Sequence, residues 1–150
     1  MPEEAAALEL VALLCTGLFA GAAIYITLVE HPARCECGTA LAISEFRPSY
    51  RRAAVMQATL AAIGCVSALA AWMQGRGVIV LLAGLLLGAV IPFTLIVILP
   101  TNKRLLNPGL DPRSAEAAAL LARWGKLHVV RTAASCAAFL LLGLHMMGAP

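Results

Sequence analysis

Charge is what this sequence has least of. Only 13% of its 150 residues are Asp, Glu, Lys or Arg, about half the roughly 25% of an ordinary soluble domain. Hydrophobic residues make up 61%, and the mean hydropathy is +0.89. A soluble fold of this size would need more polar surface to cover its core, and a disordered tail needs the opposite composition. Both are excluded. The marks of several chemistries are missing too. There is no phosphate-cradling glycine loop, no His-Glu-x-x-His and no nucleophile elbow. There is no Cys-x-x-Cys redox pair. Of the five cysteines, Cys15, Cys65 and Cys136 lie in apolar stretches, where a thiol behaves as a small hydrophobe. Cys35 and Cys37 form a Cys-x-Cys pair, with no second pair to complete a structural zinc site.

What the chain has instead is four apolar stretches, at about 5–29, 53–73, 78–99 and 127–147. Each reaches the roughly 20 residues a helix needs to cross a bilayer. The first exceeds the roughly 7–15-residue core of a signal peptide and follows no basic segment, so it is read as a retained helix. The expected fold class is all-α: a single domain over 1–150, a four-helix transmembrane bundle, antiparallel, up-down-up-down. Gln74-Gly75-Arg76-Gly77 is a tight turn between the second and third helices. The first connection, His31 to Arg52, and the third, Pro100 to Arg123, look long enough to cap a site. Pro32 is expected to end the first helix at His31 and Pro100 to end the third. Pro92 should kink the third helix or free a carbonyl. Ser114 is a candidate cap for a short amphipathic helix that lies at the surface or runs on into the fourth span. Gly17 with Gly21, and Gly84 with Gly88, have the four-residue spacing that lets helix backbones approach closely. They mark packing inside the bundle or between copies of the chain in a homo-oligomer.

Of the eleven Lys and Arg residues, all but Arg76 fall between Arg34 and Arg52 or between Lys103 and Arg131. Lys and Arg in short loops stay cytoplasmic. The bias therefore puts both termini outside the cytoplasm, in an integral membrane protein of a bacterial plasma membrane. Basic ends of spanning helices already account for these residues, so no nucleic-acid partner is implied. The partners expected are the lipid bilayer and a hydrophobic small molecule.

The polar residues gather at the same basic end. Trp124, His128 and Arg131 are spaced four and three apart and share one helical face. Arg131 sits about one turn inside the bilayer, where an ionisable group usually faces the bundle interior or a wet cavity. Glu30 is its expected carboxylate partner, and a snorkelling arginine is the bland alternative. Tyr50, Arg51, Asn102 and His31 fall at the ends of the other helices, and in an antiparallel bundle these ends meet at one depth. The catalytic candidates are His128, Arg131, His31 and Glu30. The substrate-binding candidates are Trp124, Tyr50, Arg51 and Asn102. Two histidines and one carboxylate also make the ligand set of a non-haem iron site, so His31, His128 and Glu30 are the candidates if a metal is bound, although no spacing motif marks them. The sequence identifies no cofactor.

Several short motifs have a familiar order: Glu30-His31-Pro32-Ala33-Arg34, Pro48-Ser49-Tyr50-Arg51-Arg52-Ala53, Met56-Gln57, Pro92-Phe93-Thr94, Pro100-Thr101-Asn102-Lys103, Arg123-Trp124 and Leu127-His128-x-x-Arg131-Thr132. Together they resemble the anthrone-oxygenase-like family of small four-span membrane proteins. The resemblance implies a monooxygenase-type oxidation of a planar phenolic or aromatic substrate by dioxygen, and it implies no particular cofactor. Such a site needs a base, a cation to hold an enolate and an aromatic wall. His128 or His31 fits the first role, Arg131 or Arg51 the second, and Trp124 with Tyr50 the third. Two further readings stand beside this one: a non-enzymatic carrier or binding protein for a hydrophobic small molecule, and a metal-dependent membrane oxidoreductase.

The charge bias makes a prediction of its own. In a background without native cysteines, Gly75→Cys labels from outside intact cells with a membrane-impermeant maleimide, and Gly109→Cys does not. The reverse pattern would invert the topology.

Overall fold

The computed structural model describes residues 2–148. Four rods run the length of the molecule: α1 (Glu3–Glu36), α2 (Thr39–Met73), α3 (Val78–Leu105) and α4 (Ala115–Gly148), each long and apolar enough to cross a membrane. Among the described residues there is no strand. α1 packs on α2 and α4, and α3 packs on the same two, with little contact across the diagonals. This is the antiparallel four-helix bundle expected from the hydropathy, and it makes the chain an integral membrane protein.

The helices outrun the apolar stretches, and two prolines explain how. Pro32 does not end α1, which continues to Glu36, and Pro100 does not end α3, which continues to Leu105. A proline lacks the N–H for an α-helical bond, and its ring clashes with the carbonyl four residues back. Ahead of each one the helix widens into a single π segment, Ile26–Glu30 in α1 and Thr94–Ile98 in α3. The N–H of His31 reaches back to the carbonyl of Ile26, and that of Leu99 to the carbonyl of Thr94. The wider turn makes room for the ring, so the helix carries on. Pro92, expected to disturb α3, lies just before the second of these segments.

The long connections therefore shrink. The first is a turn at Cys37 and Gly38, with Gly38 at a φ of 93° that favours glycine. The third is the stretch 106–114, after which Ser114 Oγ accepts the N–H of Ala117 at 3.1 Å and starts α4. Ser114 is the cap the sequence suggested, and its helix runs straight into the fourth span. The basic end is covered by helix, with Ile43 and Phe46 of α2 packed against Leu110, Leu121 and Trp124.

Small residues zip the other half together. A Cβ on Gly84 would lie 2.6 Å from that of Ala68, one on Gly88 2.6 Å from Cys65 Sγ, and one on Gly64 2.7 Å from Leu87 Cδ2. Gly17 lies under the ring of Phe139 in the same way, at 2.9 Å. Gly21 does not join them: it is exposed, with nothing within 4 Å of a Cβ.

The far end is also more polar than its composition suggested. Glu9 in α1 is fully buried. It pairs with the Nε of Arg76 in the α2–α3 turn, and its other oxygen lies 3.6 Å from His145 Nε2 in α4. One carboxylate thus ties three elements. Arg76→Ala strands Glu9 in an apolar interior and should cost about 3 kcal/mol, the low end of the range for orphaning a buried charge. Adding Glu9→Gln should recover part of the loss, as read by thermal unfolding in detergent. An additive double variant would mean that the pair does not interact.

Candidate functional site

α4 sets the site. Its face carries Trp124, His128 and Ser135, all buried, and Arg131. The imidazole of His128 is 2% exposed. Its Nδ1 lies 3.0 Å from Thr27 Oγ1, inside the π segment of α1. Thr27 in turn meets Thr132 Oγ1 at 2.8 Å. This pair of hydroxyls holds the ring from one side. The ring's hydrogen bond to Thr27 is thus made through Nδ1.

Trp124 packs against two histidines. Its ring stacks on His128 at 4.8 Å between centroids and meets His31 at 5.1 Å. It also receives Phe46 edge-on at 5.2 Å, and Phe46 stacks on Tyr50 at 5.6 Å. Gly125 makes this possible, because a Cβ there would come within 2.5 Å of His31 Nε2.

Arg131 points into the bundle and not toward headgroups, but its partner is not Glu30. Its Nη2 donates to Gln57 Oε1 at 2.6 Å, and the guanidinium lies 5.4 Å from the ring centroid of Phe19. Neither neighbour is a carboxylate. Glu30 is engaged elsewhere: it pairs with Arg34 one turn along α1 and accepts a 2.7 Å bond from Ser49 Oγ. Arg34 also reaches Glu45 at 2.7 Å and lies over the rings of Phe46 and Trp124. The expected Arg131–Glu30 pair fails because α1 passes Pro32 as helix, which puts Arg34 at i+4 from Glu30.

A cavity of about 170 Å³ lies among these groups. Glu30 and Arg34 reach it from α1, Tyr50 and Gln57 from α2, Thr94 and Leu95 from α3, and Trp124, His128 and Arg131 from α4. Five of the eight sequence candidates therefore share one space: His128, Arg131, Glu30, Trp124 and Tyr50. His31 does not. It lines a second pocket with Thr27, Trp124, Gly125 and Lys126, which His128 also borders, and its Nε2 is 3.9 Å from Cys35 Sγ. Arg51 is exposed and lines neither pocket, because the helical phase that turns Tyr50 and Gln57 inward turns Arg51 out. Asn102 is buried but lies about two turns beyond Thr94, past the cavity.

The candidate metal ligands are not assembled. His31 does not border the cavity that His128 and Glu30 share, and Glu30 is spent on Arg34 and Ser49. Among the described residues no group of three or more His, Cys, Asp or Glu side chains is arranged to hold an ion. Cys35 and Cys37 are free and exposed.

Sequence reasoning overlooked Arg34, Gln57, Thr27 and Phe46 as site residues. Signals existed for two of them. Arg34 stands four residues from Glu30, and Gln57 is an amide inside an apolar stretch. Thr27 and Phe46 carry no mark beyond the geometry that places them.

A family profile described as Anthrone oxygenase matches residues 46–141. The match runs from Phe46 in α2 through most of α4 and leaves α1 outside. No curated protein matches the chain, and no solved structure does. The profile spans well over half of the sequence, and the chain accordingly belongs to the anthrone oxygenase family.

Proposed function

We propose that this protein is an integral-membrane oxygenase that oxidises a planar phenolic substrate, of the anthrone type, with dioxygen inside the α1–α4 cavity. One observation carries the reading. An imidazole hydrogen-bonded through Nδ1, a guanidinium without a carboxylate and an aromatic wall border the same space. A cation left unpaired at this depth costs about 2.5–3.5 kcal/mol even on a lenient scale. An anionic ligand offsets that cost.

The chemistry follows from the substrate. An anthrone is a carbon acid whose conjugate base is an aromatic enolate. His128 takes the proton from carbon, and Arg131 holds the enolate oxygen, as an oxyanion donor does. The enolate carbon then supplies the electron pair for a new C–O bond to dioxygen. Protonated His128 returns a proton to the distal oxygen, giving a hydroperoxide on carbon. Loss of the remaining C–H proton breaks the O–O bond, forms the ketone and releases water. One dioxygen is consumed, one oxygen atom ends in the quinone and the other in water, and no external reductant is needed. Trp124, Phe46 and Tyr50 form the wall against which the flat ring lies. The basic end, and with it the site, belongs to the cytoplasmic side by the charge bias.

His128→Ala should lower oxygen uptake with an anthrone by roughly 10²–10⁴-fold, the usual contribution of a general base. The protein should remain folded and membrane-inserted. Wild-type turnover in that variant would remove His128 from the chemistry. Arg131→Lys keeps the charge but loses the planar fork, and should cost roughly 10²-fold in turnover if the guanidinium holds the oxyanion. Substrate that binds wild-type protein without oxygen uptake would favour the carrier reading instead.

A further inference from the structure

The cavity is closed at both ends of the bundle. Toward the basic end stand Phe46, at 0% exposure, and Arg34, at 5%, with the carboxylates that hold it. Toward the far end the Gly64–Leu87 and Gly84–Ala68 contacts bring α2 and α3 together. On the sides formed by α1 and α4, the lining includes buried Phe19, Ile26, Trp124 and His128.

The α2–α3 side is different. There the lining runs out to exposed residues: Ala58 faces outward, and Leu95 is 59% exposed. Between them lie half-buried Ala54 and Thr94. The π segment Thr94–Ile98 packs on α4 but makes little contact with α2. The facing wall of α2 includes alanine at positions 53, 54, 58 and 61, small side chains that leave the gap open. Ala58 and Leu95 each lie some five residues inside the apolar stretch of their helix, about 7 Å at 1.5 Å per residue. That depth belongs to acyl chains, not to water. The hydroxyl of Thr94 already bonds to the carbonyl of Val90 at 2.7 Å, so the rim offers no unsatisfied hydroxyl.

We infer that the gap between α2 and α3, walled by Ala54 and Ala58 and rimmed by Thr94 and Leu95, is a lateral portal. Through it a flat apolar molecule dissolved in the bilayer reaches the polar site. The inference rests on the reading of the cavity as a ligand site, and it adds the route and the phase from which the ligand comes. Size supports it. A cavity of about 170 Å³ compares with apolar cavities of about 150 Å³ that admit one benzene ring. A fused-ring substrate has to leave part of its length in the portal, against alanine and leucine. Its polar edge then lies at Arg131 and its apolar edge toward lipid. Portal residues thus select for length and flatness, while the inner residues select for the oxyanion.

Fluorescence tests this without turnover. The chain has two tryptophans, and Trp72→Phe leaves Trp124 as the only one. In phosphatidylcholine vesicles, dibromonaphthalene dissolved in the bilayer should quench Trp124, and aqueous iodide should not. Ala58→Phe, at a position already facing outward, should cut the dibromonaphthalene quenching constant several-fold, and Leu95→Ala should raise it. Quenching by iodide alone, or quenching indifferent to both substitutions, overturns the portal. The latter result would mean that the probe arrives past His31 instead. Oxygen uptake is measured separately. A portal that behaves as described with no anthrone turnover sinks the oxygenase reading and leaves the portal standing. Turnover unaffected by Ala58→Phe, together with unchanged quenching, does the opposite.

Discussion

Pro32 and Pro100 each remove a backbone donor where lipid supplies no substitute, and the rest of the site depends on how the chain meets that constraint. In a bilayer every backbone polar group must be satisfied internally. A helix broken at His31 and at Pro100 would leave carbonyls bare at the edge of the apolar zone. The widened turns at Ile26–Glu30 and Thr94–Ile98 keep both helices continuous. Their consequences reach well beyond the backbone. Continuity of α1 carries Arg34 to the position one turn beyond Glu30. The same π segment presents Thr27 to His128, and the other one lies along the gap beside Leu95. Single widened turns of this kind often sit at functional sites.

Two arginines at the basic end, Arg34 buried and Arg131 half-buried, have opposite surroundings, and the contrast gives the cavity its polarity. Arg34 is neutralised by Glu30 and Glu45 and covers two aromatic rings. Its role is architectural: it closes the bundle where the apolar residues run out. Arg131 has a neutral amide and a phenyl face, so its charge remains available to a ligand. Had Glu30 paired with Arg131, both charges would be satisfied and the cavity would hold no unbalanced cation. The proposed chemistry therefore depends on a choice of partner that the helix extension makes.

The bundle is graded along its axis. At the far end, glycine and alanine let α2 and α3 touch, and the buried Glu9 fastens α1 to the turn and to α4. Toward the basic end, alanines on α2 line the cavity, and space remains. Small side chains thus do two jobs, permitting close contact where the backbones approach and leaving a void where they do not. Close packing at one end supports a cavity at the other, as preorganised sites require.

Much of this was legible in the residues alone. Apolar runs of spanning length determine four helices, and a tight glycine turn determines that neighbours are antiparallel, because lipid permits few other structures. The four-and-three spacing of Trp124, His128 and Arg131 determines that they share a face. The order of short motifs carried the family. Tertiary structure decided the rest, for reasons of geometry across helices. Whether a proline ends a helix depends on whether the preceding turn widens, which no local propensity records. Which carboxylate meets which arginine depends on that outcome. His31 lies outside the main cavity because it packs into the space that Gly125 leaves on α4, against Trp124. Arg51 and Asn102 looked as eligible as Tyr50 because chain position fixes depth, whereas rotation about the helix axis and the exact helix ends fix what a side chain faces. Spacing within one helix is local information; the pairing of faces between helices exists only once all four are packed.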